Sequence, residues 1–191
     1  IAVGTDDMPV VAYYIGGTGD VGVAKCGNRD CSANAMLTTV DDGGGSNVGT
    51  NVSIKVPPDG LPIIAYYDAT STALKTAKCS NAACIGFGSA VIKTVDNSAD
   101  VGLYAAVAIG ADALPVISYF DRSAGDLKVA KCNDATCSSR SISIVDTQGD
   151  TGNYSSITVP GDGLPIIAYQ GGVSASATSR LAIAKCLDPS C

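Results

Sequence analysis

The hexapeptide Leu61-Pro62-Ile63-Ile64-Ala65-Tyr66 decides the fold, because close variants of it occur four times in the chain. Its other copies run from Met8 to Tyr13, from Leu114 to Tyr119 and from Leu164 to Tyr169. A block of sequence Ala-Lys-Cys, with a second cysteine after four more residues, follows each copy. The first cysteines of these blocks lie 53, 53 and 54 residues apart. Such a period predicts tandem copies of one structural unit.

Each unit reads as four short strands separated by turns. In the third copy we predict strands at 107–109, 114–120, 127–132 and 141–145. These runs are rich in Val, Ile, Tyr and Thr, and they are bounded by Gly, Asp, Asn, Ser and Pro, as strands and turns prefer. No long window carries apolar residues at helical spacing. The unit is therefore predicted to be a small antiparallel sheet.

A four-stranded unit with this period matches a propeller blade. A solenoid coil takes about 20 to 30 residues and an immunoglobulin-like sandwich about 100, so neither fits. We predict an all-β fold, a β-propeller of four-stranded antiparallel blades. It forms a single domain over residues 1–191, with repeats at 1–52, 53–105, 106–155 and 156–191. Packing of blades on both sides explains runs such as 63–67, which do not alternate with polar residues.

The chain holds only about 3.6 repeats of this period. The first copy starts at Ile1 in its first strand, and the fourth stops at Cys191 before its last strand. Two architectures remain open, namely about four blades with the last incomplete, or an arc of a larger propeller. The partners expected for an arc are other protein subunits or the rest of a longer chain, because an unpaired strand edge recruits partners.

Eight cysteines fall into four pairs at the same place in each repeat, which predicts four local disulfides. The pairs are Cys26 with Cys31, Cys79 with Cys84, Cys132 with Cys137, and Cys186 with Cys191. Each closes a short loop, contributing roughly 2 kcal/mol by loop-closure entropy. Zinc is the competing interpretation, but an all-cysteine site needs two pairs brought together. Oxidised cysteines predict an extracellular or cell-surface location.

The composition excludes several function classes. The chain contains no His, Trp or Glu, and it carries a net charge of −6. Nucleic acid is not an expected partner, because phosphate binding draws on clustered Lys and Arg. Membrane insertion is not expected, because Asp112 and Pro115 interrupt the most apolar window. Catalysis would have to rely on Asp pairs alone, so we expect no enzyme activity.

The repeat resembles the tandem repeats of large secreted or surface-attached bacterial proteins that are expected to form propellers. The resemblance rests on Leu61 to Asp68, Leu74 to Cys79, and Val95-Asp96 followed by Gly102-Leu103-Tyr104, and it covers essentially the whole chain. It implies an extracellular bacterial origin without a defined activity. The sialidase propeller is a more distant comparison. The Ser-x-Asp-x-Gly-x-x-Trp box of that family is absent, and its Tyr-Glu pair cannot be mapped.

Two connections between repeats place one Asp four residues after another, as Asp96 with Asp100 and Asp146 with Asp150. Their carboxylates are hard oxygen ligands, so calcium is the ion that such loops would hold. The alternative is that each Asp forms a turn by hydrogen bonding its own backbone. If these Asp residues only form turns, the protein needs no cofactor.

Tyr104 and Tyr154 follow glycines in the same connections and could stack on sugars, with Asp96 and Asp146 binding hydroxyl groups. The alternative is that both rings pack between blades. The leading hypothesis from the sequence is a secreted, non-catalytic propeller that serves as a structural, adhesive or protein-interaction module of an extracellular assembly. The second hypothesis is a glycan-binding, lectin-like propeller assisted by calcium.

Overall fold

The computed structural model describes residues 1–86, 88–172 and 179–191. In these residues the chain forms fifteen β-strands and no helix, which confirms the all-β class. No helix in this part of the chain is long and apolar enough to cross a membrane.

The strands form four antiparallel sheets, each built from consecutive strands in chain order. Sheet 1 contains β1 (Ala2–Val3), β2 (Pro9–Ile15), β3 (Asp20–Lys25) and β4 (Met36–Asp41). Sheet 2 contains β5 (Thr50–Lys55), β6 (Ile63–Asp68), β7 (Ala73–Cys79) and β8 (Ala90–Asp96). Sheet 3 contains β9 (Val101–Ile109), β10 (Pro115–Asp121), β11 (Asp126–Cys132) and β12 (Arg140–Asp146). Sheet 4 contains β13 (Asn153–Thr158), β14 (Ile166–Gly171) and β15 (Arg180–Lys185).

The predicted four-stranded unit is observed in sheets 1 to 3, and sheet 4 has three strands among the described residues. In sheet 3 the last three strands lie within one residue of their predicted bounds. The first strand is longer than predicted, because β9 begins at Val101 instead of residue 107. The first strands of sheets 2 to 4, β5, β9 and β13, each span a repeat boundary drawn on the sequence.

The four sheets pack face against face in chain order, with a main apolar core between each adjacent pair and a smaller second cluster between sheets 2 and 3. We call the face that a sheet turns toward the following sheet its trailing face, and the opposite one its leading face. On sheet 2 the trailing face carries Ile63 and Ala65, and the leading face carries Ile64 and Tyr66. This arrangement agrees with consecutive propeller blades.

Burial of the hexapeptide depends on how many neighbours its sheet has. Every residue of β6 and of β10 is buried, because sheets 2 and 3 are covered on both faces. In β14 buried residues alternate with partly exposed ones, because sheet 4 is covered only on its leading face. No core within the described residues joins sheet 4 to sheet 1. The described chain is therefore an open array of four sheets.

The loops and turns lie at the two ends of the strands. At one end, the loop entering each sheet bonds to a hairpin turn of the sheet before it, as where the Val101 N–H donates to the Thr72 carbonyl over 3.1 Å. At the other end, the lysine before each first cysteine forms an ion pair within its own sheet. These pairs are Lys25 with Asp6, Lys78 with Asp59, Lys131 with Asp112, and Lys185 with Asp162.

Candidate functional site

A hydrogen bond between a tyrosine and an aspartate joins each pair of adjacent sheets. The Tyr119 hydroxyl in β10 donates to Asp96 Oδ2, at the end of β8, over 2.8 Å. Two equivalent bonds, of 2.6 and 2.8 Å, are those of Tyr66 with Asp41 and Tyr169 with Asp146. None of the described residues accepts a corresponding bond from Tyr13, the tyrosine of sheet 1.

The surroundings of these pairs keep the three tyrosines protonated, and they keep Asp96 and Asp146 ionised. Burial, strengthened by the neighbouring carboxylate, raises the pKa of Tyr66 and Tyr119 far above 10.0, and that of Tyr169 to about 12. Burial opposes ionisation of Asp96, but hydrogen bonds from Ser98 and Tyr119 outweigh it and lower its pKa. These aspartates therefore hold adjacent sheets together.

Three of the four carboxylates predicted as calcium ligands, those of Asp96, Asp100 and Asp146, accept hydrogen bonds from other side chains. Asp100 Oδ1 accepts the Tyr67 hydroxyl over 2.6 Å, so Asp96 and Asp100 bind different tyrosines. Asp146 Oδ2 accepts the Thr151 hydroxyl over 3.1 Å in addition to Tyr169. Asp150 Oδ1 lies beside Gly125, 2.9 Å from the place that a Cβ on this glycine would occupy. No group of three acidic or cysteine side chains in the described ranges could hold a metal ion, and calcium binding stays a prediction.

Tyr104 and Tyr154 lie inside strands β9 and β13, not in the loops where the sequence places them. Both have a φ of 54°, in the left-handed region that bulky residues rarely adopt. The pairing register with the second strand shifts at both positions, which marks a β-bulge in the first strand of each of these two sheets. Sheet 2 has the same bulge at Asn51, where φ is 53°.

The bulge residues form a chain of contacts from sheet to sheet. Asn51 Oδ1 accepts the Tyr104 N–H over 3.0 Å, and Ser155 Oγ donates to the Tyr104 carbonyl over 3.0 Å. The rings of Tyr104 and Tyr154 lie 4.4 Å apart between centroids at 45° to each other. Burial raises the pKa of Tyr104, whereas the Tyr154 side chain is 68% exposed. Each bulge thus contacts the next sheet, and that of sheet 4 faces solvent.

The structure brings the two predicted sugar-binding rings together but gives the aspartates another role. Asp96 and Asp146 hydrogen bond to Tyr119 and Tyr169 rather than to the Tyr104 and Tyr154 pair. Beside Tyr154 lies an open cavity of about 380 Å³. Its lining includes Ser156, Gln170, Arg180 and Leu181, all on sheet 4.

The trailing face of sheet 4 exposes apolar side chains that the other sheets bury. Leu181 is 76% exposed and Ile183 is 66% exposed. The residues at the Leu181 position in the other sheets are Val21, Leu74 and Leu127, all 0% exposed. Those at the Ile183 position are Val23, Thr76 and Val129, also 0% exposed. This face has the composition of an inter-sheet core without a sheet against it.

The leading face of sheet 1 shows the same contrast. Ile1 is 79% exposed, although Ile54, Val107 and Ile157, which hold its position in the following sheets, are buried. Val11 and Tyr13 are partly exposed. The residues at the Val11 position elsewhere are Ile64, Ile117 and Ile167, all 0% exposed. The array therefore ends in two complementary apolar faces.

All four predicted disulfides are present, with Cα atoms 4.7 to 5.0 Å apart. From the sequence, each disulfide is expected in the turn between the third and fourth strands of its own unit. In the structure Cys84 and Cys137 are fully buried in the cores between sheets. Cys31, their counterpart in sheet 1, is exposed. The disulfides therefore also pack adjacent sheets together.

Sequence reasoning missed the bonds between tyrosines and aspartates. Their signal was present, because the tyrosine of each hexapeptide and the Val-Asp pairs at Val40-Asp41, Val95-Asp96 and Val145-Asp146 recur with the period. The partners belong to different repeats, so spacing within one repeat did not connect them.

No family model matches the chain, and no curated protein matches it either. Its fold is similar to that of the intramolecular trans-sialidase from Ruminococcus gnavus in complex with oseltamivir carboxylate, at 16% identity and a TM-score of 0.58. It is also similar to a bifunctional GH43-CE protein of Bacteroides eggerthii, at 10% identity and a TM-score of 0.52. These alignments cover 95% and 91% of this chain, but only 41% and 24% of the others.

The chain thus spans less than half the length of either structure. At these identities the likeness extends to the fold alone. It supports the all-β arrangement of stacked sheets described above.

Proposed function

We propose that the chain is a non-catalytic β-propeller module of an extracellular protein, with a structural, adhesive or protein-interaction role. Its four sheets are consecutive blades, and its two terminal faces pack against further sheets of the same kind. The observation that carries this proposal is the exposure of Leu181 and Ile183 at positions that are 0% exposed in the other three sheets.

The propeller arrangement is supported by the regular contact between the first strands of sheets 2 to 4. Asn51 in β5 bonds to Tyr104 in β9, which bonds to Ser155 in β13. The first step relates equivalent bulge positions, and the second joins Tyr104 to the residue after the next bulge, so the same region of each first strand contacts the following sheet, as expected for blades around an axis. The likeness to the trans-sialidase fold over 95% of the chain supports the same arrangement.

A non-catalytic role is supported by the chemistry of the acidic residues. Asp41, Asp96 and Asp146 are bonded to tyrosines of neighbouring sheets, where their charge stabilises the packing. Most glycoside hydrolases use two carboxyl groups of divergent pKa that face one cleft. Carboxylates that bridge sheets are poorly suited to that chemistry.

An extracellular location is supported by the four disulfides, which persist in oxidising environments. The resemblance of the repeat to those of secreted and surface-attached bacterial proteins agrees with this location.

The proposal is tested by joining two copies of the chain in one polypeptide with a flexible linker. We expect the tandem protein to bury the Leu181 and Ile183 side chains of its first copy against sheet 1 of the second. Cysteine-specific labelling of Ile183→Cys in that first copy should be slower than in the single chain. Ile144→Cys, an equally apolar exposed position on sheet 3, provides the control. Equal labelling rates at Ile183→Cys in both proteins would contradict the proposal.

Glycan binding is the second candidate function, and the exposed ring of Tyr154 favours it. This ring lies against Tyr104 and borders the 380 Å³ cavity, where Gln170 and Arg180 supply hydrogen-bond donors. The trans-sialidase and GH43-CE structures give carbohydrate ligands as the class to screen. A glycan array with and without calcium is the test. Binding that is lost in Tyr154→Ala and kept in Tyr14→Ala would support this function.

A further inference from the structure

We propose that the trailing face of sheet 4 binds the leading face of sheet 1 of a second copy of this chain. The inference rests on the proposed function and names the partner that the terminal faces recognise. The two copies would be joined head to tail, so that the stack of sheets continues from one chain into the next.

The internal interfaces provide the evidence that these two faces are complementary. Three times within the chain a trailing face packs on a leading face, and the same positions form the core each time. Between sheets 1 and 2, for example, Val21 and Val23 pack with Ile64 and Ala77. Sheet 4 offers Leu181 and Ile183 at the first two positions, and sheet 1 offers Val11 and Ala24 at the others. Both halves of the recurring core are therefore present on one chain.

The pairing is expected to be head to tail because no internal interface joins two trailing faces. A contact between different faces leaves one unpaired face on each partner, so further copies can add until a ring closes or an open filament forms. An exposed apolar face of this kind is rare on a stable monomer. A second copy covers one terminal face of each chain with a surface equivalent to the one that covers the same positions inside the chain.

The contact between copies lacks one bond that the internal interfaces contain. In each of them a tyrosine bonds to an aspartate at the end of the fourth strand of the preceding sheet. The described part of sheet 4 has no fourth strand, so Tyr13 of a second copy finds no such acceptor there. We therefore expect reversible association that depends on protein concentration, and we expect Tyr13→Phe to leave its strength unchanged.

Sedimentation velocity over a range of protein concentrations is the test. We expect the unmodified chain to associate as concentration rises. Ile183→Lys damages the trailing face and Val11→Lys damages the leading face, so each variant alone should have a dissociation constant weakened at least about tenfold. Ile144→Lys is the matched control, because Ile144 is exposed on a sheet that already has two neighbours. Circular dichroism confirms that each variant is folded.

A mixture of the two face variants decides the orientation. Val11→Lys keeps an intact trailing face and Ile183→Lys keeps an intact leading face, so the mixture should form a heterodimer with one sound interface. Self-association of Val11→Lys alone would indicate contact between two trailing faces and would overturn the proposal. So would a chain that stays monomeric at every concentration. If separate copies stay apart while the tandem protein protects Ile183→Cys, the proposed function stands and only the choice of partner is wrong.

Discussion

Tyr119 reaches across the boundary between sheets 3 and 2 to bond with Asp96, and neither side chain is open to solvent. The hydroxyl provides one of the hydrogen bonds that keep a buried carboxylate satisfied, together with the Ser98 N–H and a more distant Lys128. Removing it leaves a charged acceptor short of a donor inside the protein. Such losses cost more than the net value of the bond itself.

Tyr119→Phe should therefore lower the free energy of unfolding by about 1 to 3 kcal/mol, because the phenyl ring keeps the packing but not the bond. Urea denaturation measures this change. Tyr13→Phe removes the equivalent hydroxyl from sheet 1, where no described residue accepts its hydrogen bond, and it should cost about 0.5 kcal/mol or less. Similar losses in both variants would argue against the bond between sheets.

Alkaline pH should destabilise the protein because four tyrosines have raised pKa values, namely Tyr66, Tyr67, Tyr119 and Tyr169. Their pKa values lie above 10.0 when folded, at about 12 for Tyr67 and Tyr169 and higher for Tyr66 and Tyr119. Below pH 10 the proton is bound in both states. Above it the unfolded chain releases the proton while the folded protein keeps it, so stability falls with rising pH.

The expected slope is at most about 1.4 kcal/mol per pH unit for each of these tyrosines. Urea denaturation between about pH 8 and about pH 11 measures it. Tyr66→Phe should have a shallower slope than the unmodified protein, whereas Tyr14→Phe, which changes an exposed ring, should not. A stability that is constant up to about pH 11 would contradict the raised pKa values.

Gly102→Ala should destabilise the protein by at least about 2 kcal/mol. Gly102 has a φ of 107°, and a Cβ there would lie 2.7 Å from Leu74 Cα in the neighbouring sheet. The backbone atoms of Leu74 cannot move aside as a flexible side chain would. Gly17→Ala, at a position with nothing within 4 Å of the added carbon, is the control and should be nearly neutral. Thermal denaturation of the two variants separates these outcomes.

Addition or removal of calcium should leave the melting temperature unchanged. Asp96 and Asp146 use their oxygens for hydrogen bonds to backbone N–H groups and tyrosine hydroxyls, so a cation would have to displace bonds that hold the sheets together. Differential scanning calorimetry with excess CaCl₂ and with EDTA measures this. A rise with calcium that disappears in Asp150→Asn would instead support a site at Asp146 and Asp150.

The period, the strands and the disulfides could be predicted because they depend on local sequence. Cys132 and Cys137, for example, are connected by one turn of a single repeat. The long first strand could not be predicted, because Gly102 and Gly152 look like turn residues when read alone. Gly102 lies inside β9 and packs on Leu74, whereas Gly152 directly precedes β13 and packs on Leu127. Contacts such as those of Tyr119 and of Cys137 depend on a different repeat, which local reading does not supply.

The three cores between sheets are nearly interchangeable, since the same rows of side chains meet in each. A gene duplication or deletion of one period, such as the segment from Ile63 to Pro115, would add or remove a whole sheet and leave the flanking contacts chemically unchanged. Proteins built from such sheets can change their number of sheets in evolution through unequal recombination, because the core at the new junction is the same as at the others.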